Sequence, residues 1–488
     1  MQGGTAMKTK TPAQLQKAAL RREKEIAKWE QEKARPKKDF YFLYLIFVLT
    51  LIYATDEIAS QIGTLMKTEI ANDLMSSFGD RSVGMLDLVG IVIVPFQIIG
   101  LAYRPLADKW GRKRFLIINT FGMSIALLVI FLSRNLFFYF LGACMIQFFI
   151  PHDMHVVYIM ETAPAKRRAV MYSCIKFIAN MGVMLVPVLR RMLMQDASQW
   201  RQVFLIPAIV GLVCSFIALL SARETDAFID ARLRYLKMTD EERAAAENEK
   251  KAEASEGGLF DALKFAWKHK QLKWLYISAA LANLGFILTI EYQVIMTYGY
   301  ANNFLNNGLY PTMEAALNAV SLDVITPALF LFTIGSACAQ VIMGFISDGL
   351  GRKPAVITMA ALCVASFLGF YIGSNQAWSP YIVGFLCGST IGSYYSTNDV
   401  LIMMIGESAP TNLRSSAITA QYIVVAVGFA FTYTVVLPLA TYFGNSAVGI
   451  ISLCALVPGF IDALVALSAK VSDTRGLNLD TVTGCEWD

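Results

Sequence analysis

Long apolar runs recur along almost the whole chain, each closed by a short polar or charged stretch. A helix that crosses a bilayer needs about 20 mostly apolar residues. Such a helix also satisfies its own backbone hydrogen bonds in lipid. The runs predict spans over 40–62, 84–104, 113–133, 136–160, 169–193 and 202–221, then over 272–298, 325–347, 354–373, 380–405, 415–440 and 446–469. The fold class expected is all-α, with twelve transmembrane helices in two pseudo-symmetric six-helix bundles. The organisation expected is a basic N-terminal segment (1–39), a first bundle (40–221), a linker with short helices (222–271), a second bundle (272–470) and a polar tail (471–488).

Composition agrees with this pattern. Of 488 residues, 56% are hydrophobic and only 16% charged, against roughly 25% charged in soluble domains. The net charge of +5 is small, and its placement carries the information. The basic N-terminal segment, the Lys/Arg residues at 109–114 and 166–168, the central stretch and Arg352–Lys353 fall on one side of a twelve-span chain. Positive residues gather on the cytoplasmic side, so both termini are expected there. The first forty or so residues are polar and basic, unlike a cleavable leader. Residues 11–34 have helical character and read as a solvated helix, with a lipid-surface anchor as the alternative. The longest external loop is expected over 301–324, and no Asn-x-Ser/Thr sequon occurs. This favours a bacterial inner (plasma) membrane. The scattered cysteines read as packing residues.

Two short motifs occur twice. Asp108, Gly111, Arg112 and Lys113 are matched by Asp348, Gly351, Arg352 and Lys353; Glu161, Pro164 and Arg168 are matched by Glu407, Pro410 and Arg414. The offsets are 240 and 246 residues, the mark of a duplicated half. These D-x-x-G-R-[RK] and E-x-x-P-x-x-x-R loops resemble those of the major facilitator superfamily. The fit is to its sugar-porter and organic-ion branch: Tyr158, Glu161, Ala163, Pro164 and Arg168 match Y-x-x-E-x-A-P-x-x-x-R. Arg223-Glu224-Thr225 and the tail from Ser472 to Asp480 resemble that branch's P-E-S/T and P-E-T-K-G segments. Ala169 stands where the branch has Gly, and Arg104 where its first loop has Gly. The resemblance implies the major facilitator fold and a cytoplasmic gate of Asp108, Gly111, Arg112, Glu161, Arg168, Asp348, Gly351, Arg352, Glu407 and Arg414. Charge-assisted bonds across that face would hold the outward-open state.

Ionisable groups at bilayer depth are costly and so are candidates for function. They are Asp56 and Glu57 in span 1, His152, Asp153 and His155 in span 4, Lys176, Arg190 and Arg191 in span 5, Glu291 in span 7 and Asp399 in span 10. His152, Asp153 and Lys176 are expected roughly 12 Å above the cytoplasmic ends of their spans. Asp399 stands at the same offset from Glu407 as Asp153 from Glu161. A layer of charge from both halves is what a central site requires, with Asn180 and Tyr292 beside it. The resemblance places Lys176 where sugar porters hold a sugar-binding Gln, and an ammonium there suits a carboxylate. A structural Lys176–Asp153 pair is the alternative. Asp56 falls near the proton-carrying Asp of sugar porters, whose span-4 Arg partner reads here as Leu141; Arg190 or Arg191 could replace it. Leu281-Ala282 stands where that family has Gln-Gln.

The function expected is proton-coupled symport of a small organic anion by alternating access between the halves. Asp56, Glu57, Glu291 or a histidine would carry the proton. A sugar or polyol, or an organic cation, is the alternative cargo; a non-transporting sensor is a further class. No nucleophile elbow, phosphate loop or cofactor motif is present, so neither an enzyme nor an ATP-driven pump is expected. The partners expected are a small-molecule substrate, protons and the lipid bilayer. No nucleic acid, cofactor, metal or second protomer is expected.

Overall fold

The computed structural model describes residues 12–35, 41–96, 99, 110–149, 178, 181–239, 242, 259–410 and 414–475. Among the described residues the elements are helices joined by turns, with no strand. In the first half span 1 is Tyr41–Leu65, span 3 Arg112–Leu132, span 4 Leu136–Phe149 and span 6 Leu205–Ser221. Span 2 is described from Ser82–Gly90 onward, and span 5 at its end, Leu185–Leu193. In the second half span 7 runs through Lys270–Ala282, Asn283–Phe286 and Ile287–Asn306, and span 8 ends in Thr326–Gly349. Spans 9, 10 and 12 are Arg352–Asn375, Pro380–Ser408 and Val448–Lys470; span 11 runs from Arg414–Phe431 to Leu437–Phe443. Eight described helical stretches are long and apolar enough to cross a membrane.

Span 10 shows how a polar sequence is made to fit. Its hydroxyls turn back onto the helix: Thr390 donates to Leu386 O (2.8 Å), Ser393 to Ser389 O (2.6 Å) and Thr397 to Ser393 O (2.9 Å). Small residues four apart let span 8 approach closely. A methyl on Gly384 would stand 2.0 Å from Ala328 O, and one on Gly388 would stand 1.8 Å from Phe332 O.

The loop expected over 301–324 is mostly helix. Span 7 continues to Asn306, and the next helix starts at Met313, its first turn capped by Thr312 Oγ1, which accepts from Ala315 N (3.3 Å). The two helical stretches, of 37 residues each, are about 55 Å long. They outrun the roughly 30 Å apolar core of a bilayer.

The N-terminal helix Pro12–Ala34 does not stand alone. It packs along the linker helix Asp226–Lys237, with Trp29 edge-on to Phe228 (ring centroids 5.6 Å). Glu25 pairs with Arg232 (2.8 Å) and Glu30 with Lys237 (2.7 Å). Exposed pairs contribute about 0–1 kcal/mol each, so the aromatic contact and the pairs act together.

Spans alternate in direction. The starts of odd spans and the ends of even spans therefore form one face, near both chain ends: the terminal face. The opposite one is the far face.

Candidate functional site

The far face carries a buried charge layer that joins the halves. Span 1 pauses at Met66 and restarts as Lys67–Leu74, which turns Lys67, Thr68 and Glu69 inward; all three are buried. Lys67 Nζ reaches Asp87 Oδ1 of span 2 (2.7 Å), Glu291 Oε1 of span 7 (3.0 Å) and Ile290 O (2.8 Å). Those contacts use all three ammonium donors. Thr68 donates to Gln293 Oε1 through its N–H (3.0 Å) and its hydroxyl (2.7 Å). Glu69 Oε1 accepts from Arg190 Nη2 (2.6 Å) and Ser321 Oγ (2.5 Å), while Gln293 Nε2 donates to its other oxygen (3.3 Å).

Arg190 is fully buried at 0% exposure. It also donates to Leu65 O (3.3 Å) in its own half and to Ser321 O (2.9 Å) and Thr326 Oγ1 (3.3 Å) in the other. Its guanidinium therefore spans the seam. On the same face Asn445 Nδ2 donates to Tyr298 OH (2.7 Å) and Ser82 Oγ (3.4 Å). Gly84 approaches Thr441 so closely that a methyl there would stand 2.1 Å from its Oγ1. A cavity of about 170 Å³ adjoins the layer, lined by Ser60, Thr64, Lys67, Asp87, Gln147 and Tyr433 among others.

Below this layer span 7 tightens over Asn283–Phe286. Asn283 Nδ2 donates to Asn398 Oδ1 (2.6 Å), and Tyr394 OH donates to Asn283 Oδ1 (3.0 Å). This polar knot joins spans 7 and 10 next to Asp399, which is exposed.

The terminal face is built differently. At Gly111 and Gly351 the chain takes φ of 105° and 119°, which an L side chain rarely adopts. Each glycine leads into a helix whose first N–H groups need acceptors. In the first half Glu224 Oε1 accepts from Arg112 N (2.8 Å) and Lys113 N (3.0 Å). In the second, Asp473 accepts from Arg352 N (3.4 Å) and Lys353 N (2.8 Å). A methyl on Gly111 would stand 2.2 Å from Glu224 Oε2, and one on Gly351 2.7 Å from Asp473 Oδ2. Burial pushes the Glu224 carboxyl above its ordinary range, and the N–H bonds from Lys113, Thr225 and Arg112 pull it back only in part. Arg352 bonds Glu407 (2.9 Å) and Asp348 (3.0 Å).

A family model described as Major Facilitator Superfamily matches residues 41–322, more than half of the chain, and one described as Sugar (and other) transporter matches 277–469. This chain belongs to the Major Facilitator Superfamily. It is a transporter, not an enzyme, and a multi-pass membrane protein. It is 24% identical over 364 residues to the proline/betaine transporter of Escherichia coli K12, covering 70% of this chain and 67% of that one. It is 31% identical over 99 residues to the facilitated glucose transporter member 4 of solute carrier family 2 from Mus musculus, 20% of this chain and 19% of that one. In fold it is similar to the inward-open xylose transporter XylE from E. coli (TM-score 0.62, 16% identity, 91% of this chain and 100% of that one). It is also similar to the bacterial Spinster homologue in its inward-facing form (TM-score 0.58, 13% identity, 89% and 100%).

Within this major facilitator fold the expected site residues separate. Glu291 is in the far-face layer, bound to Lys67. Tyr292 points the other way, its ring stacked on Phe332 (centroids 4.9 Å, 12° between planes). Both are buried in contacts with protein groups. Asp56 and Glu57 are half-buried in span 1. Arg190 bonds Glu69 rather than Asp56, which corrects its expected partner; Arg191 is exposed. Leu141 is exposed as well. The expected gate bonds of Arg352 run, among the described residues, within the second half rather than across the face. His152, Asp153, His155, Lys176, Asn180, Asp108, Glu161 and Arg168 lie outside the described residues, and Arg414 opens span 11.

The sequence reading missed Lys67, Glu69, Asp87 and Gln293. Asp87 carried a usable signal, an acid inside an expected span. Lys67 and Glu69 fell beyond the expected end of span 1 and read as loop.

Proposed function

We propose that this chain is a secondary active carrier that moves a small carboxylate-bearing solute together with a proton, by alternating access between its halves. The observation that supports the mechanism is the buried charge layer seaming the halves at the far face. Such a layer shuts one end and has to separate for that end to open. The relatives named as proline/betaine transporters support the cargo class, since both solutes carry a carboxylate beside a cationic nitrogen. In this reading Lys176 meets the carboxylate, with Asn180 and His152 or His155 beside it. Asp153 and Asp399 stand opposite the cationic end, and Asp56 or Glu57 exchanges protons with the pathway. The protein sits in the cell membrane as a monomer with both termini cytoplasmic, so the far face is external. A sugar or polyol cargo is the second reading, favoured by the sugar-transporter model over 277–469.

Proteoliposomes with an inside-alkaline gradient test this with labelled L-proline, glycine betaine, pyruvate and D-xylose. Uptake of a carboxylate-bearing solute is expected, abolished by a protonophore. It should fall about tenfold or more in Lys176→Gln, the scale of one charged hydrogen bond. Flux of xylose alone, or unchanged kinetics in Lys176→Gln, would overturn the cargo assignment.

A further inference from the structure

The far-face layer holds two groups of charge, and only one is balanced. Arg190 and Glu69 pair one to one (2.6 Å). Lys67 instead faces two carboxylates, Asp87 (2.7 Å) and Glu291 (3.0 Å), and these two carboxyl groups also lie within hydrogen-bond reach of one another. Asp87 Oδ2 and Glu291 Oε2 are buried and have no hydrogen-bond donor. Glu291 is 1% exposed. Among the described residues the other titratable groups facing the trio are the phenols of Tyr139 in span 4 and Tyr433 in span 11. Phenols ordinarily hold their proton up to about pH 10, so they add no charge. One surplus negative charge is therefore left in a site mostly withdrawn from solvent, where burial without a partner opposes ionisation. A single proton removes the surplus: a neutral carboxyl on one residue donates to the free oxygen of the other.

We propose that closing the far face binds one proton between Asp87 and Glu291, and that opening it releases that proton. Asp87 belongs to the first half and Glu291 to the second, so the proton site exists only while the halves meet. Lys67 stays in the first half and neutralises Asp87 after separation, leaving Glu291 free to ionise in water. The adjoining cavity, lined by Ser60, Thr64 and Gln147 as well as Lys67 and Asp87, gives water a place to deliver and accept the proton. This inference rests on the alternating-access reading and gives the far face a gating proton, taken up and released as that face closes and opens and distinct from the proton carried with the solute. The ammonium already seated between the acids works against sodium in the same place.

The test needs no solute. Spin labels are placed at Ser77→Cys and Asn307→Cys, exposed positions on the far face of each half, with the exposed Cys338 and Cys454, and also Cys174 and Cys485, changed to Ser. Pulsed distance measurements on protein in lipid nanodiscs give the ratio of closed to open far face. One linked proton makes this ratio fall about tenfold per pH unit above its midpoint, equally in NaCl and KCl. Asp87→Asn and Glu291→Gln, two independent variants, should each abolish the slope and keep the face closed. Asp80→Asn is the control, since Asp80 is the nearby acid that accepts from Asn445 across the same seam; it should leave the slope in place. A flat wild-type ratio, a slope surviving in both Asp87→Asn and Glu291→Gln, or a dependence on sodium in place of pH would overturn the assignment. A flat ratio leaves solute uptake free to occur, and absent uptake leaves the slope intact, so the two failures are distinguishable.

Discussion

The two ends of the molecule use similar residue types for opposite tasks. At the terminal face, Glu224 and Asp473 each close the first turn of a helix in their own half, and Arg352 bonds Glu407 without leaving the second half. At the far face, Arg190 and Lys67 reach into the other half for Ser321, Thr326 and Glu291. The first set makes each half rigid; the second holds two rigid bodies together. Alternating access needs both, because a half that bent internally would absorb the motion that should open a path. The segments Arg223-Glu224-Thr225 and Ser472-Asp473-Thr474 have a shared task, an acid against a positive-φ glycine in each half.

The sharpest break of this comparison is at Arg190. Arg190→Met leaves the Glu69 carboxylate buried without its main partner, at a cost of about 3–5 kcal/mol. The cost falls on the state in which the halves meet, so the far face should open while each half stays folded. Spin-label distances across the seam would lengthen, with the helical circular dichroism unchanged. The double variant Arg190→Met/Glu69→Leu should recover most of the closure, because the stranded charge is gone. Loss of helix in the single variant would show instead that Arg190 holds its own half together.

A smaller effect separates the two helix caps. Glu224→Ala strips the acceptor from the Arg112 and Lys113 N–H groups and should cost about 1–2 kcal/mol, the scale of a lost cap. Asp473 is exposed, and water replaces it more readily, so Asp473→Ala should cost about 0.5–1 kcal/mol. Both should lower the thermal midpoint and leave the far-face distance unchanged. A shift in that distance would mean that the terminal face also ties the halves.

Much of the architecture was legible because lipid imposes a simple code of apolar length and flanking charge. Spans 3, 9 and 12 fall within a few residues of their expected limits. The repeated Gly-Arg-Lys motifs marked the terminal face, since a positive-φ glycine and a helix start are local properties. The far-face layer is not local. Lys67 and Glu69 follow the apolar part of span 1 and look solvated until the second half covers them. Arg190 was visible as a buried cation, but its partner was misplaced: Asp56 lies 13 residues before Glu69, roughly 20 Å along a helix. The restart after Met66, which no composition signal announces, brings Glu69 to the guanidinium instead. The expected loop over 301–324 failed for a related reason, as polar Asn and Ala residues continue a helix when a cap such as Thr312 is at hand.

The mildest test concerns the proton balance of Glu224. Burial raises its carboxyl pKa in the folded protein above the unfolded value, despite three backbone N–H bonds. The folded state therefore holds this proton more tightly than the unfolded chain. The associated stability is complete below the ordinary carboxyl value of about 4.3 and is lost as pH rises through the raised value. Thermal midpoints of the wild type and Glu224→Gln, compared from about pH 4.5 to 8, isolate the term. The wild type should lose stability relative to the variant as pH rises, because Gln keeps an oxygen for the Arg112 and Lys113 N–H groups and has nothing to ionise. A difference that grows in the wild type's favour with rising pH would mean that the ionised carboxylate gains more from those N–H groups and the helix start than burial costs it.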